Sequence, residues 1–98
     1  SIYLQKYVPF ESQKPIDAFP INEHYLSQLN PKVADKMRWF AKGFYTVDQI
    51  NEKTRIYNLQ VDMRGVVKVN EMKKAPTIGF FEVEEINGEI IFTSGRVH

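Results

Sequence analysis

The stretch Gly43-Phe44-Tyr45-Thr46-Val47-Asp48-Gln49-Ile50-Asn51-Glu52-Lys53-Thr54-Arg55-Ile56-Tyr57-Asn58-Leu59-Gln60-Val61-Asp62-Met63 decides the fold. Before Gly43 the apolar residues recur with helical spacing; beyond it they alternate with a period of about 2. Phe44–Ile50 and Thr54–Met63 therefore read as two strands around the polar turn Asn51-Glu52-Lys53. In the second strand Tyr57, Leu59, Val61 and Met63 share one face, and Asn58, Gln60 and Asp62 share the other.

Toward the C-terminus, Val66–Val69 continues or restarts a strand past Gly65, and residues 70–77 read as a loop. Ile78–Ile86 and Glu89–Thr93 flank Asn87-Gly88, a dipeptide that tolerates the positive φ values of a type I′ turn, so a tight hairpin is expected. Phe81 and Val83 should face the core, with Glu82 and Glu84 toward water.

Toward the N-terminus, Asn22 is placed to cap a short helix, with Glu23 in its first turn, where the helix dipole favours a carboxylate. Asn30-Pro31 starts a second helix, with proline at the first helical position, where its missing N–H costs nothing. That helix is expected to run to about Lys42, with Gly43 as the left-handed residue that ends it. Val33, Ala34, Met37, Phe40 and Ala41 fall on one stripe; Trp39 lies off it. Residues 2–8 read as an edge strand or extended arm, and 9–21, with Pro9, Pro15 and Pro20, as an irregular connection. No helical crossover is available after residue 43, which excludes a parallel sheet. The expected class is α+β: an antiparallel sheet of about four to five strands with a helix pair packed on one face.

Composition bounds the function. The chain has 98 residues, 43% of them hydrophobic and 26% charged, an ordinary globular balance that suits one domain over residues 1–98. Thirteen Lys and Arg against twelve Asp and Glu leave a net charge of +1, without the basic excess of a nucleic-acid binder. No apolar run approaches the roughly 18–20 residues that a membrane-spanning helix needs. The lack of cysteine excludes disulfides, thiolate nucleophiles and Cys-ligated metals. The sequence begins at Ser1 without a signal-peptide pattern and reads as a fragment of a longer protein.

No catalytic constellation emerges. His24 stands beside Glu23, but helix neighbours point about 100° apart and zinc needs three or four converging ligands, so His24 reads as a surface or packing residue. Glu82 and Glu84 share a strand face, with Glu85 on the other, and a solvated strand face accounts for them. None of the four serines sits in Gly-x-Ser-x-Gly or Ser-x-x-Lys. Lys53, Arg55, Lys68, Lys73 and Lys74 could gather as a basic patch, but no RNP-like string accompanies them and acidic residues 82–89 oppose it, so no nucleic-acid partner is expected. Trp39 either packs against the sheet edge or the first helix, or anchors a partner or membrane surface.

Residues 19–65 carry a resemblance. Phe19-Pro20-Ile21-Asn22-Glu23-His24-Tyr25-Leu26 is followed by Met37-Arg38-Trp39-Phe40-Ala41-Lys42-Gly43-Phe44-Tyr45-Thr46-Val47, then by Thr54-Arg55-Ile56-Tyr57 and Asp62-Met63-Arg64-Gly65. Together these resemble the C-terminal soluble region of the bacterial membrane-bound, metal-dependent hydrolase family, also described as LexA-binding, inner-membrane-associated hydrolases. Members show an Asn-Glu-His element, a helix ending in Trp-Phe-x-x-Gly-Tyr/Phe-Tyr, and a strand with Asp-Leu-Arg-x-Gly, one residue longer than the string at Asp62. The resemblance implies that the His and Asp metal ligands lie in a membrane-embedded part outside this chain. It implies a non-catalytic accessory domain with no cofactor of its own, held at the inner or cytoplasmic membrane through its parent and sitting in the aqueous phase. The expected partner is the membrane-embedded part of the parent chain; the alternative is a protein-interaction module that binds a peptide or partner through a sheet edge or the Trp39 surface. Asp62 and Arg64 share a strand face if the strand stays regular, where they pair with each other or meet a polar ligand or the membrane part. The candidate interaction residues are thus Trp39, Asp62, Arg64 and His24.

Overall fold

The computed structural model describes residues 14–63 and 78–97, without the side chains of 93–97. Its elements run β1 (Phe19–Pro20), α1 (Glu23–Leu26), α2 (Pro31–Met37), β2 (Gly43–Asn51), β3 (Thr54–Asp62), β4 (Ile78–Ile86) and β5 (Glu89–Val97). The five strands form one antiparallel sheet in sequential order, β1-β2-β3-β4-β5. Asn87 and Gly88 take φ of 55° and 84°, the left-handed pair that a type I′ turn requires. The expected strand at 2–8, the strand at Val66–Val69, the loop at 70–77, Arg64, and Lys68, Lys73 and Lys74 of the basic patch lie outside the described residues.

Both helix starts follow their capping residues. The Asn22 Oδ1 accepts from the Tyr25 N–H at 3.3 Å, and the Asn30 Oδ1 accepts from the Lys32 N–H at 2.8 Å. The end of α2 corrects the expected boundary. The helix stops at Met37, and bonds from Trp39 N–H to the Lys36 carbonyl and from Phe40 N–H to the Met37 carbonyl tighten the chain into a final turn. That tightening puts Phe40 in the core, stacked on Phe81 with centroids 5.0 Å apart, and leaves Ala41 exposed. Gly43 is not a left-handed cap either; it is the buried first residue of β2. A β-carbon there would stand 2.7 Å from the Gln60 carbonyl oxygen and 2.8 Å from Val61 Cγ1, so the strands pair at this point only because the residue is glycine.

One core joins the helices to one sheet face. Leu26, Val33, Ala34, Met37 and Phe40 pack on Tyr45, Tyr57, Leu59, Val61 and Val83, with Phe81, Ile90 and Phe92 beside them. The opposite face, shared by Asn58, Gln60 and Asp62, is not uniformly exposed. Asn58 is exposed, but Gln60 and Asp62 are buried, so β3 is covered on both sides over its last residues. Phe44 and Phe80 flank Gln60 in register, and Lys14 Nζ lies 5.7 Å from the Phe44 ring centre. Glu82 and Glu84, expected to face water, are half-buried.

Candidate functional site

Two places gather side chains with chemical capacity, both on the helix-bearing side of the sheet. The first lies where the N-terminus of α2 meets the two hairpins. Tyr57 is fully buried, and its hydroxyl donates to Glu85 Oε1 at 2.7 Å. Asn30 Nδ2 donates to Glu85 Oε2 at 3.1 Å, and Arg55 Nη1 stands 3.8 Å from Oε1. Arg55 also donates from Nε to Gln49 Oε1 at 2.7 Å. Burial, and then the hydrogen bond to Glu85, pushes the Tyr57 hydroxyl up to about 12, so it keeps its proton at neutral pH.

This cluster is a polar tie more than a reaction centre. Both Glu85 oxygens are engaged, and no buried side-chain nitrogen or oxygen among the described residues lacks a hydrogen-bond partner. It fastens the capping residue of α2 to β3 and β4, and the Asn87 N–H, donating to the Lys53 carbonyl at 2.9 Å, links the two hairpin turns beside it. Gln49, Lys53, Arg55, Glu85 and Asn87 line an open groove of about 200 Å³ next to the tie. The role of Glu85 escaped the reading of the sequence, which took it as part of a solvated face. Its place two residues after Val83, in step with Phe81, was the available signal.

The second place is a ledge beside β5, the edge strand. Trp39 remains 63% exposed while its ring stacks on Phe92, with centroids 6.0 Å apart and planes at 26°. Lys36 Nζ sits 4.4 Å from the Trp39 ring centre and 5.9 Å from that of Phe92. Trp39 thus packs against the sheet edge, the first of the two expected readings, and keeps a large exposed surface. The tight turn after Met37 is what carries it off the buried stripe of α2.

The other candidate residues are not gathered there. His24 is exposed on α1, edge-on to Tyr25 with centroids 4.9 Å apart, and its carbonyl accepts from Gln28 Nε2 at 3.0 Å. Asp62 is buried at the end of β3, and its N–H donates to the Lys42 carbonyl at 2.9 Å. Its expected companion Arg64 lies outside the described residues. A residue that the sequence reading left aside, Arg38, joins the two helices by donating to both Glu23 oxygens, at 2.8 and 2.9 Å, and to Asp35 at 2.7 Å. The hydrogen bonds to Arg38 hold the Glu23 carboxyl below the usual carboxylate range. Among the described residues no three His, Cys, Asp or Glu side chains converge as metal ligands, and no helix is long and apolar enough to cross a membrane.

Fold and site together define a two-layer α+β body with an aromatic ledge at its sheet edge. No protein-family model, no curated protein and no solved structure matches the chain.

Proposed function

We propose that this chain acts by docking onto another polypeptide through the Trp39 ledge, as a non-catalytic accessory domain. The resemblance in residues 19–65 supplies the partner: the membrane-embedded part of a parent metal-dependent hydrolase, which would hold the domain at the inner membrane. The observation that carries the docking role is the state of Trp39, mostly exposed yet held flat on Phe92 beneath the Lys36 ammonium. A tryptophan fixed before its partner arrives loses little conformational freedom on binding and buries a large apolar area. Such residues dominate the energy of many interfaces.

The test is capture of the detergent-solubilised membrane part of the parent by this chain, wild type against Trp39→Ala. The variant should bind at least about tenfold more weakly while its thermal unfolding stays close to wild type. Equal capture by both would overturn the ledge as the docking surface.

A second reading is favoured by one feature of the sheet. Strand β1 pairs only with Phe44 and Tyr45, so among the described residues Thr46–Asn51 of β2 has no strand on its outer side. An interaction module could accept an extended peptide there by backbone pairing. Strand β5 suits that role less. It carries a bulge, because Glu82 pairs with Ser94 and Val83 with Phe92, leaving Thr93 over, and bulges blunt sheet edges. Amide shifts confined to Thr46–Asn51 on adding a partner peptide would favour this reading over the ledge.

A further inference from the structure

The Trp39 ledge holds a cation without an anion. Lys36 is half-buried, and its Nζ lies 4.4 Å from the Trp39 ring centre and 5.9 Å from that of Phe92. Among the described residues no carboxylate stands within ion-pair distance of it. The carboxylates around α2 are already committed. Glu89 accepts from Lys32 at 3.5 Å, and Glu23 and Asp35 accept from Arg38 at 2.8 and 2.7 Å.

That arrangement restricts what can cover Trp39. The negative face of an aromatic ring steadies an ammonium, but it does not replace the hydrogen bonds that the group's donors make with water. A partner laid on the exposed Trp39 ring also shuts water out from Lys36, 4.4 Å away. A wholly apolar or basic partner would bury that ammonium without a counter-charge, which is strongly unfavourable. A carboxylate brought by the partner instead makes a charge-assisted hydrogen bond in a site that water has left. An anionic membrane surface fits less well. Lys32 and Arg38 are paired, so Lys36 is the one unpaired cation among the described side chains of α2 and its final turn. Recruitment to such a surface takes a cluster of roughly four to eight.

We infer, on the reading of the ledge as the docking surface, that the segment it receives is acidic: it lays an apolar side chain on the Trp39 ring and sets an Asp or Glu carboxylate on Lys36. Trp39 supplies the buried area, and Lys36 selects the occupant by rejecting segments that leave it unpaired. A carboxylate and an apolar side chain three or four residues apart on a partner helix stand about 5–6 Å apart at their β-carbons. That spacing lets one helix face engage both groups at once.

The experiment titrates the 98-residue chain with a synthetic amphipathic Leu/Glu peptide and follows the fluorescence of Trp39, its single tryptophan. A Leu/Gln peptide of the same pattern, with similar helix propensity, and vesicles of anionic lipid serve as the other two arms. The Leu/Glu peptide should shift the emission saturably and bind at least about tenfold more tightly than the Leu/Gln peptide. Lys36→Met should erase that preference and Lys36→Arg should keep it. The Leu/Gln peptide should bind Lys36→Met at least as tightly as wild type, because no ammonium is then buried, which also shows that the ledge is intact. Equal affinity of the two peptides for the wild type, a preference that survives Lys36→Met, the same emission shift with vesicles, or no saturable shift would each overturn the inference. Calorimetry on Trp39→Ala keeps it apart from the docking role. If that variant weakens the Leu/Gln peptide while the wild type shows no preference for Glu, the ledge docks without selecting acid and the inference alone falls. If Trp39→Ala weakens neither peptide, the docking role falls with it.

Discussion

The two ends of β3 read alike and behave differently. Near Thr54 the strand alternates as its sequence suggests: Tyr57 is fully buried and Asn58 exposed. Near Asp62 the alternation disappears, and Leu59, Gln60, Val61 and Asp62 are all buried. Gln60 is as polar as Asn58, so side-chain chemistry does not explain the contrast. What differs is cover: Phe44 and Phe80 stand beside Gln60, and Lys14 crosses above Phe44. Alternation assigns a residue to a face, while neighbours far along the chain decide whether that face meets water.

The largest expected effect lies at the closed end. Gly43→Val places side-chain atoms where even a β-carbon would be 2.7 Å from the Gln60 carbonyl. The variant should lose about 3 kcal/mol or more of stability, read as a fall in the urea midpoint. A wild-type midpoint would mean that the strands can separate there at no cost, and the contrast between the ends would collapse.

Tyr57→Phe comes next, because it removes the hydroxyl from a buried carboxylate. A loss of about 1–3 kcal/mol is expected at neutral pH. Its pH dependence has a definite sign. The Tyr57 hydroxyl is raised to about 12 in the folded chain, so the unfolded chain gives up its proton first. The stability it contributes is whole below about pH 10 and is lost as the pH rises through about 12. Denaturation midpoints between those values should fall less steeply in Tyr57→Phe than in wild type. A residual slope should remain from Tyr45, whose hydroxyl burial also raises.

The sharpest form of the comparison uses one face of one strand. Gln60→Ala should cost about 1–3 kcal/mol, because a buried polar side chain is deleted from a filled site. Asn58→Ala, two residues earlier and exposed, should stay within about 0.5 kcal/mol of wild type. Equal effects in paired thermal melts would show that the two ends do not differ in cover.

Much of the fold was legible because it rests on local chemistry. Asn22 and Asn30 declare helix starts, Asn87-Gly88 declares a tight hairpin, and the alternation from Phe44 onward declares antiparallel strands. The candidate site was legible only at Trp39, which stood out by being off the α2 stripe. Glu85 was missed because its neighbours Glu82 and Glu84 suggested a solvated strand, whereas its partners Tyr57, Asn30 and Arg55 come from other elements. Gly43 was misread for a related reason. A glycine after a helix suggests a left-handed cap, and only the close approach of β3 shows why a side chain is excluded.

By itself the sequence determined where the two helices start, the order of the helices and of β2 to β5, and the face that each of those strands presents to the helices, while β1 at Phe19–Pro20 fell within what reads as an irregular connection. Those properties depend on backbone propensity and on side-chain spacing within a few residues. The tertiary structure decided where α2 stops, which polar side chains lose their water, and that Trp39 lies flat on Phe92 under Lys36. Each of these depends on groups distant in sequence that share one volume, and burial is a property of that shared volume.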